Sequence, residues 1–383
     1  MRTPLVLLFT LLAACAGDTA DREHAAFLTL LGQDTLTAET ITWTASGFEG
    51  QVVQRIPVTQ RTVYTGEVGS NGELVRFTAR ITAPGDTTRL PREVALTLED
   101  TVAVSIVSQG ERSDTTHIPV SGVVAPSISQ VAGLQEFVTR LASRSGSDSF
   151  PVQLISLGAR RASPNAVVRA TPDSVSLLTF GSPLMIRVDA EGRVLGTDGG
   201  HTTMQTTTTR VEDVDLNAVE SAFLARERQS QGQVVLSGRD TVEATVAGAE
   251  VMVDYGRPSK RGRDIFGRVV PFGEVWRTGA NAATQFRISR AVRVGEQTIP
   301  VGMYTLFSLP TAEGATLIVN RQTGQWGTAY DASQDLVHLP LQVEQLGEPV
   351  ETFTIAVEPG EGRSGTLVLS WDYTRWSLPF TVQ

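Results

Sequence analysis

The sequence predicts a mainly β protein of two domains: an N-terminal antiparallel β-meander with one or two amphipathic helices, then an all-β sandwich or jelly-roll-like domain. Three observations carry this. The 383 residues suit two domains of ordinary size, and 41% hydrophobic content is enough for packed cores. Val, Thr, Gly and Pro are plentiful, which favours strands and turns over helices. Apolar residues alternate with polar ones at a period of two for most of the chain, and the joints hold turn residues.

The chain opens MRTPLVLLFTLLAACAGD. Arg2 is a positive n-region, and Leu5 to Leu12 is an apolar run too short for a mature membrane span. Leu12-Ala13-Ala14-Cys15 resembles the bacterial lipobox, in which small residues admit the signal peptidase and the cysteine thiol takes the lipid. Residues 1–14 are therefore expected to be a lipoprotein signal peptide, Cys15 the lipidation site and 15–25 a tether to the membrane. Ala16 after the cysteine favours the outer membrane, by resemblance to enterobacterial sorting.

An N-terminal domain is expected over 26–232. Thr40–Thr44, Gln51–Val58, Arg61–Val68, Glu73–Thr82 and Arg92–Leu98 read as strands. VGSNGELVRF and VDAEGRVLG both read as strand, tight turn, strand. Ile128, Val131, Leu134, Phe137, Val138 and Leu141 fall at helical spacing, predicting a helix over about Ser127–Ser143, with Ser127 and Gln130 as its capping box. A second helix is predicted over Leu216–Arg228. The threonines of HTTMQTTTTR suggest an exposed strand face. The polar stretch between Arg228 and Ser237 marks the boundary. Beyond it, over 237–383, about nine strand patterns follow with no helical period.

Composition removes several function classes. Net charge is −9, a poor match to nucleic acid. One cysteine excludes a disulfide framework. Four scattered histidines (His24, His117, His201, His338) lack paired metal-ligand spacing. There is no G-x-S-x-G elbow and no H-E-x-x-H. Gly360, Gly362 and Gly365 spell a G-x-G-x-x-G, but strand patterns flank it on both sides. A dinucleotide site needs a helix to follow, so this is a hairpin loop and no cofactor is predicted.

Four blocks stand out in the second domain: GRPS (Gly256–Ser259), GRDIFG (Gly262–Gly267), VPFGEVWRTGAN (Val270–Asn281) and QWGTAY (Gln325–Tyr330). In this order they resemble the bacterial family known as domain of unknown function 2911, over about Ser237 to Gln383. The resemblance implies a secreted or envelope-facing β domain and brings no activity with it. Where the family usually carries an acidic residue after the GAN asparagine, this chain has Ala282. The N-terminal region, strands plus a long helix, is loosely similar to half-barrel lipoprotein carriers.

Six basic residues crowd this part of an acidic chain: Arg257, Lys260, Arg261, Arg263, Arg268 and Arg277. They read as a solvated loop or as forks for phosphate, sulfate or carboxylate. Trp276 is either core packing or one wall of a groove. Trp326 and Tyr330 sit in a second glycine-containing loop, expected beside Arg277 and Asn281. Together these residues suit an anionic or carbohydrate ligand, or else a loop locked by Trp276 with Arg277 paired to a local carboxylate. Two functions follow. One is a non-catalytic envelope lipoprotein that binds a small molecule, glycan, lipid or partner protein. The other is a hydrolase of envelope polymers using carboxylates such as Asp264, Glu274, Asp331 and Asp335.

Overall fold

The computed structural model describes residues 22–179, 181–200, 202, 204–229 and 236–383. Cys15, the signal peptide, His201 and most of the polar boundary lie outside the described residues. Strand dominates, as the alternation predicts, in one sheet of fifteen strands and one of nine. Among the described residues no helix is long and apolar enough to cross a membrane.

The fifteen-stranded sheet is two meanders joined at its first strand, Glu23–Leu31, which pairs with both Asp34–Thr44 and Thr207–Val211. Its edge strands, Arg112–Pro119 and Val124–Ser127, are consecutive in the chain with only 120–123 between them. A connection that short requires the sheet to curl until its edges approach, though no ladder closes it. The concave face wraps helix α1 (Ala132–Ser145). Leu134, Phe137, Val138 and Leu141 of α1 join strand residues from Phe27 to Val194 in one apolar cluster. Helix α2 (Leu216–Gln229) packs outside, with Leu216 and Phe223 against Ala38 and Val53.

Three expectations need correction here. The first strand starts at Glu23, so it takes in residues 23–25 of the expected tether. Helix α1 starts at Ala132 and Ser127 is not its cap, because Val124–Ser127 is spent in a parallel ladder with Gln153–Ser156. A remote side chain serves the helix end instead: the Gly133 N–H donates to Glu39, 3.1 Å from Oε2. Finally, the threonine run is not simply an exposed face. Thr208 is buried and its hydroxyl lies 2.9 Å from that of Thr29.

The nine-stranded sheet folds back on itself through one long strand, Asp335–Pro359. Its first part pairs with Ala315–Asn320 and its remainder with Ser364–Val382. The two layers enclose a second apolar cluster containing Tyr255, Leu306, Phe353, Trp371 and Trp376. The nine strands are not those the sequence suggests. Ser237–Val246 and Gln297–Ile299 are additional; the separate patterns at Val337–Val343 and Val350–Val357 lie in one continuous strand, Asp335–Pro359, and those at Thr366–Asp372 and Trp376–Val382 in another, Ser364–Val382. Gly360–Gly365 is a hairpin loop, with the Gly360 N–H donating to Ser364 O at 3.0 Å.

Candidate functional site

Three of the four sequence blocks converge at one end of the second sheet, and glycine is the reason they can. A Cβ on Gly256 would collide with the backbone of Ala280, so GRPS lies directly against GAN. A Cβ on Gly327 would strike both the Arg277 side chain and the Asn281 carbonyl. The QWGTAY loop therefore rides over the Arg277 stem, and the Gly327 N–H donates to Asn281 O at 3.0 Å. Ala282 and Trp326 form an isolated antiparallel bridge there.

Trp276 holds this turn to the core. Its ring stacks on Trp371, centroids 5.7 Å apart, and meets Phe353 edge-on at 5.0 Å. Its backbone is held too, with the Trp276 N–H donating to Ser308 O at 2.7 Å. Immediately after Arg277, Thr278 and Asn281 adopt φ of 51° and 62°. For a β-branched residue such as Thr278 this is a strained conformation. It persists because Thr278 is fully buried and bonded: its hydroxyl donates to Ser308 Oγ at 3.0 Å, and its carbonyl accepts from Thr284 Oγ1 at 2.7 Å.

Beside this turn, between the two domains, lies a cavity of about 110 Å³. Trp276, Arg277, Asn281 and Trp371 form one side, and Leu31, Met204 and Gln205 the other; Leu236 and Ser237 lie at the connection. Arg261 and Arg263 also line it. Among the described residues no aspartate, glutamate or histidine does.

The arginines differ in how they are met. Arg261 ion-pairs with Asp34 of the first sheet, and its Nη2 donates to Leu236 O at 2.9 Å. Arg263 meets backbone carbonyls only, donating to Lys260 O at 3.0 Å and Ser259 O at 2.7 Å. Arg277 makes no hydrogen bond or ion pair among the described residues, and its Nη1 is buried without a partner. Burial alone lowers its pKa from the ordinary arginine value. The expected pairing of Arg277 with a local carboxylate is therefore overturned. The turn's shape is held by Trp276, Thr278 and the glycines, which leaves the guanidinium uncommitted.

Of the sequence candidates, Arg263, Trp276, Arg277 and Asn281 line the cavity; Arg257, Lys260, Trp326 and Tyr330 do not. Arg257 pairs with Asp240 at 3.1 Å and Lys260 with Asp372 at 2.7 Å, both holding strands together. Arg268 is exposed. Trp326 is half exposed on the neighbouring loop. The Tyr330 hydroxyl donates to Asp335 Oδ2 at 2.6 Å, and its ring packs on Phe307. That bond and burial raise its pKa. Asp335 also accepts from Asn320 at 2.8 Å and lies 2.8 Å from His338 Nε2. Asp331 caps a short 3₁₀ turn. Neither Asp264 nor Glu274 reaches the cavity, so the carboxylate acid/base reading finds no pair beside Trp276. Missed by sequence reasoning were Asp34, Leu31, Met204, Gln205 and Trp371, which only the tertiary fold brings to this place.

Residues 237–380 match the family described as protein of unknown function (DUF2911). This is the family that the four sequence blocks resemble, and the match covers the second domain. No curated protein matches the chain. Among solved structures, the crystal structure of a DUF1089 family protein from Pseudomonas aeruginosa is similar at 14% identity, covering 43% of this chain and 91% of that one with a TM-score of 0.33. A likeness of that size fixes no shared role.

Proposed function

We propose that the protein is a lipid-anchored lipoprotein of the bacterial cell envelope, outer membrane in preference to inner, whose work is binding and not catalysis. Its ligand is a small anionic molecule held in the cavity between the domains. The observation that carries this is Arg277. A guanidinium partly drawn out of water, with no polar partner among the described residues, costs stability, and natural proteins keep such groups where something else completes them. Arginine's planar fork suits carboxylate and phosphate. The surrounding wall is rigid, since Trp276, Trp371 and the buried Thr278 fix the turn that presents the fork. The envelope address rests on Leu12-Ala13-Ala14-Cys15 alone.

Protein purified from its own membranes under native conditions should carry an anionic small molecule detectable by native mass spectrometry, and Arg277→Ala should lose it. Recovery of the same molecule at the same occupancy from the variant would refute the site. Separately, Cys15→Ser should leave the protein unprocessed or soluble. Normal processing with full membrane retention would refute the anchor.

A further inference from the structure

The junction has no apolar core of its own. Each of the four apolar clusters draws its buried residues from one domain alone, two on each side. What joins the domains at the described residues is polar and sparse. The Gln33 N–H donates to Arg261 O at 3.0 Å, and Gln205 Nε2 donates to Val269 O at 2.9 Å. Arg261 reaches Asp34, a carboxylate that Arg55 and Arg226 also share at 3.6 and 3.4 Å. Domains joined through polar contacts of this kind move relative to one another unless something larger holds them.

The cavity is placed where that something would sit. Its walls come from both domains, so whatever fills it touches Leu31 and Met204 on one side and Trp276 and Arg277 on the other. An occupant of such a space binds the docked arrangement and not the undocked one, and so shifts the balance toward docking. Cations outnumber the carboxylates that meet them at the junction: beside Asp34 there is Glu351, whose Oε1 accepts from the Arg261 N–H at 2.9 Å. Three arginines share Asp34, Arg263 donates only to carbonyls, and Arg277 has no polar partner among the described residues. An oxyanion relieves this deficit, whereas a neutral or cationic ligand does not. The walls are mixed, however. Leu31, Met204, Val269 and the indoles of Trp276 and Trp371 would be left wet by a bare inorganic ion. The volume of about 110 Å³ holds several waters or one small organic molecule, not a long chain or a polymer.

Building on the anion-site reading above, we infer that the occupant is a small amphipathic organic acid, and that binding it clamps the two domains together. Its oxyanion head meets Arg277 and its apolar body lies against the Trp276 wall. The Gln33–Arg261 backbone bond opens less often when the acid is in place, so the protein reports the acid's presence as a change in the freedom of its domains.

The test uses the full mature chain with serine at position 15, so that it stays soluble, and four probes: benzoate, its uncharged analogue benzamide, acetate and inorganic phosphate. Binding is followed by titration, and docking by hydrogen exchange of the Gln33 amide. Benzoate should bind saturably and slow Gln33 exchange, while benzamide at equal concentration does neither. Acetate and phosphate, lacking the apolar body, should bind more weakly than benzoate. Arg277→Gln should weaken benzoate by about tenfold or more and remove its effect on Gln33. Met204→Trp, which fills the cavity from the opposite wall and leaves Arg277 intact, should also block benzoate, and covers the case in which the arginine variant folds poorly. Benzoate binding through Arg277 with unchanged Gln33 exchange overturns the clamp and leaves the binding site standing. Phosphate binding more tightly than benzoate overturns the amphipathic acid but not the anion site. Failure of every anion to bind at Arg277 overturns both readings.

Discussion

Glu136 in α1 and Arg277 at the junction are both drawn out of water, and their surroundings could hardly differ more. Glu136 is fully buried and receives four hydrogen bonds: Arg140 Nη2 at 2.6 Å and Nε at 2.9 Å, Arg210 Nη1 at 2.6 Å, and the Val194 N–H at 2.9 Å. Glu23 adds a second carboxylate to the arginine cluster, 2.7 Å from both Arg140 and Arg193. Arg277, by contrast, makes no hydrogen bond or ion pair among the described residues, and its Nη1 is buried without a partner. A saturated network inside a curled sheet fixes α1 in one register. An unsaturated fork in a cavity wall holds no neighbouring element in place and keeps its hydrogen-bonding capacity for an anion. The two charges thus separate a group that holds the architecture from one available to the proposed ligand.

The largest break in this contrast is on the architectural side. Glu136→Ala takes from Arg140 and Arg210 their buried acceptor, leaving Glu23 alone to serve both, and strands the Val194 N–H inside the sheet. Removing one partner of a buried ionic network costs about 3–5 kcal/mol. Urea unfolding of the variant should show a loss of that order, with benzoate affinity unchanged in whatever fraction stays folded. A loss below about 1 kcal/mol would mean the network is dispensable, and the contrast would fail.

Next in size is the tryptophan that presents the fork. Trp276→Ala removes contacts to Trp371, Phe353 and Trp376 and opens a hole in the second domain's core. Aromatic-to-alanine changes at packed sites cost about 3 kcal/mol or more, discounted here because Trp276 is only partly buried. Thermal unfolding should show the second domain destabilised and the first unaffected, together with lost ligand binding, because Arg277 loses its rigid support.

Glu39 sharpens the comparison through pH. Burial raises its pKa to about 7, against the opposing pull of Tyr64 Oη and the α1 N–H groups that donate to it. A carboxyl whose folded pKa lies above its unfolded value binds its proton more tightly in the folded state. Stability from this group is therefore greatest below about pH 4.5 and is lost as pH rises toward 7. A shift of that size corresponds to roughly 3 kcal/mol at most across the window. Glu39→Gln keeps an acceptor for Gly133 and should flatten the pH dependence of unfolding between pH 4.5 and 7. The same slope in wild type and variant would show that Glu39 is not the group titrating.

How much of this was legible in the sequence divides along the same line. Strands, turns and both helices are written locally, in alternation and in glycine and asparagine turns, so VGSNGELVRF and VDAEGRVLG fold as their spacing says. The start of α1 was not legible, because its cap is Glu39, more than ninety residues upstream. Long strands interrupted by polar residues read as two, which is why Asp335–Pro359 and Ser364–Val382 each look like a pair. At the site, the turn from Trp276 to Asn281 was legible as a constellation, since large aromatic and charged side chains among glycines need an explanation. The opposite wall was not. Leu31, Met204 and Gln205 are unremarkable residues whose role comes only from where the first sheet ends.

The smallest expected effect on stability, and the sharpest test of the contrast, is at Arg277 itself. Were the guanidinium a structural element like Glu136, replacing it would strand partners. Among the described residues it has none to strand. Arg277→Gln removes a charge that is partly desolvated and uncompensated, and retains much of the stem that lies over Gly327. Lost stem packing and lost desolvation cost oppose each other, so in the absence of ligand the melting temperature should stay within the equivalent of about 0.5 kcal/mol of wild type or rise slightly. With benzoate present the order should reverse, because only the wild type gains stability from the bound anion. A loss of 2 kcal/mol or more without ligand would place Arg277 among the architectural charges, as estimated for stranding a buried polar group, and would remove the physical basis for a binding site at the junction.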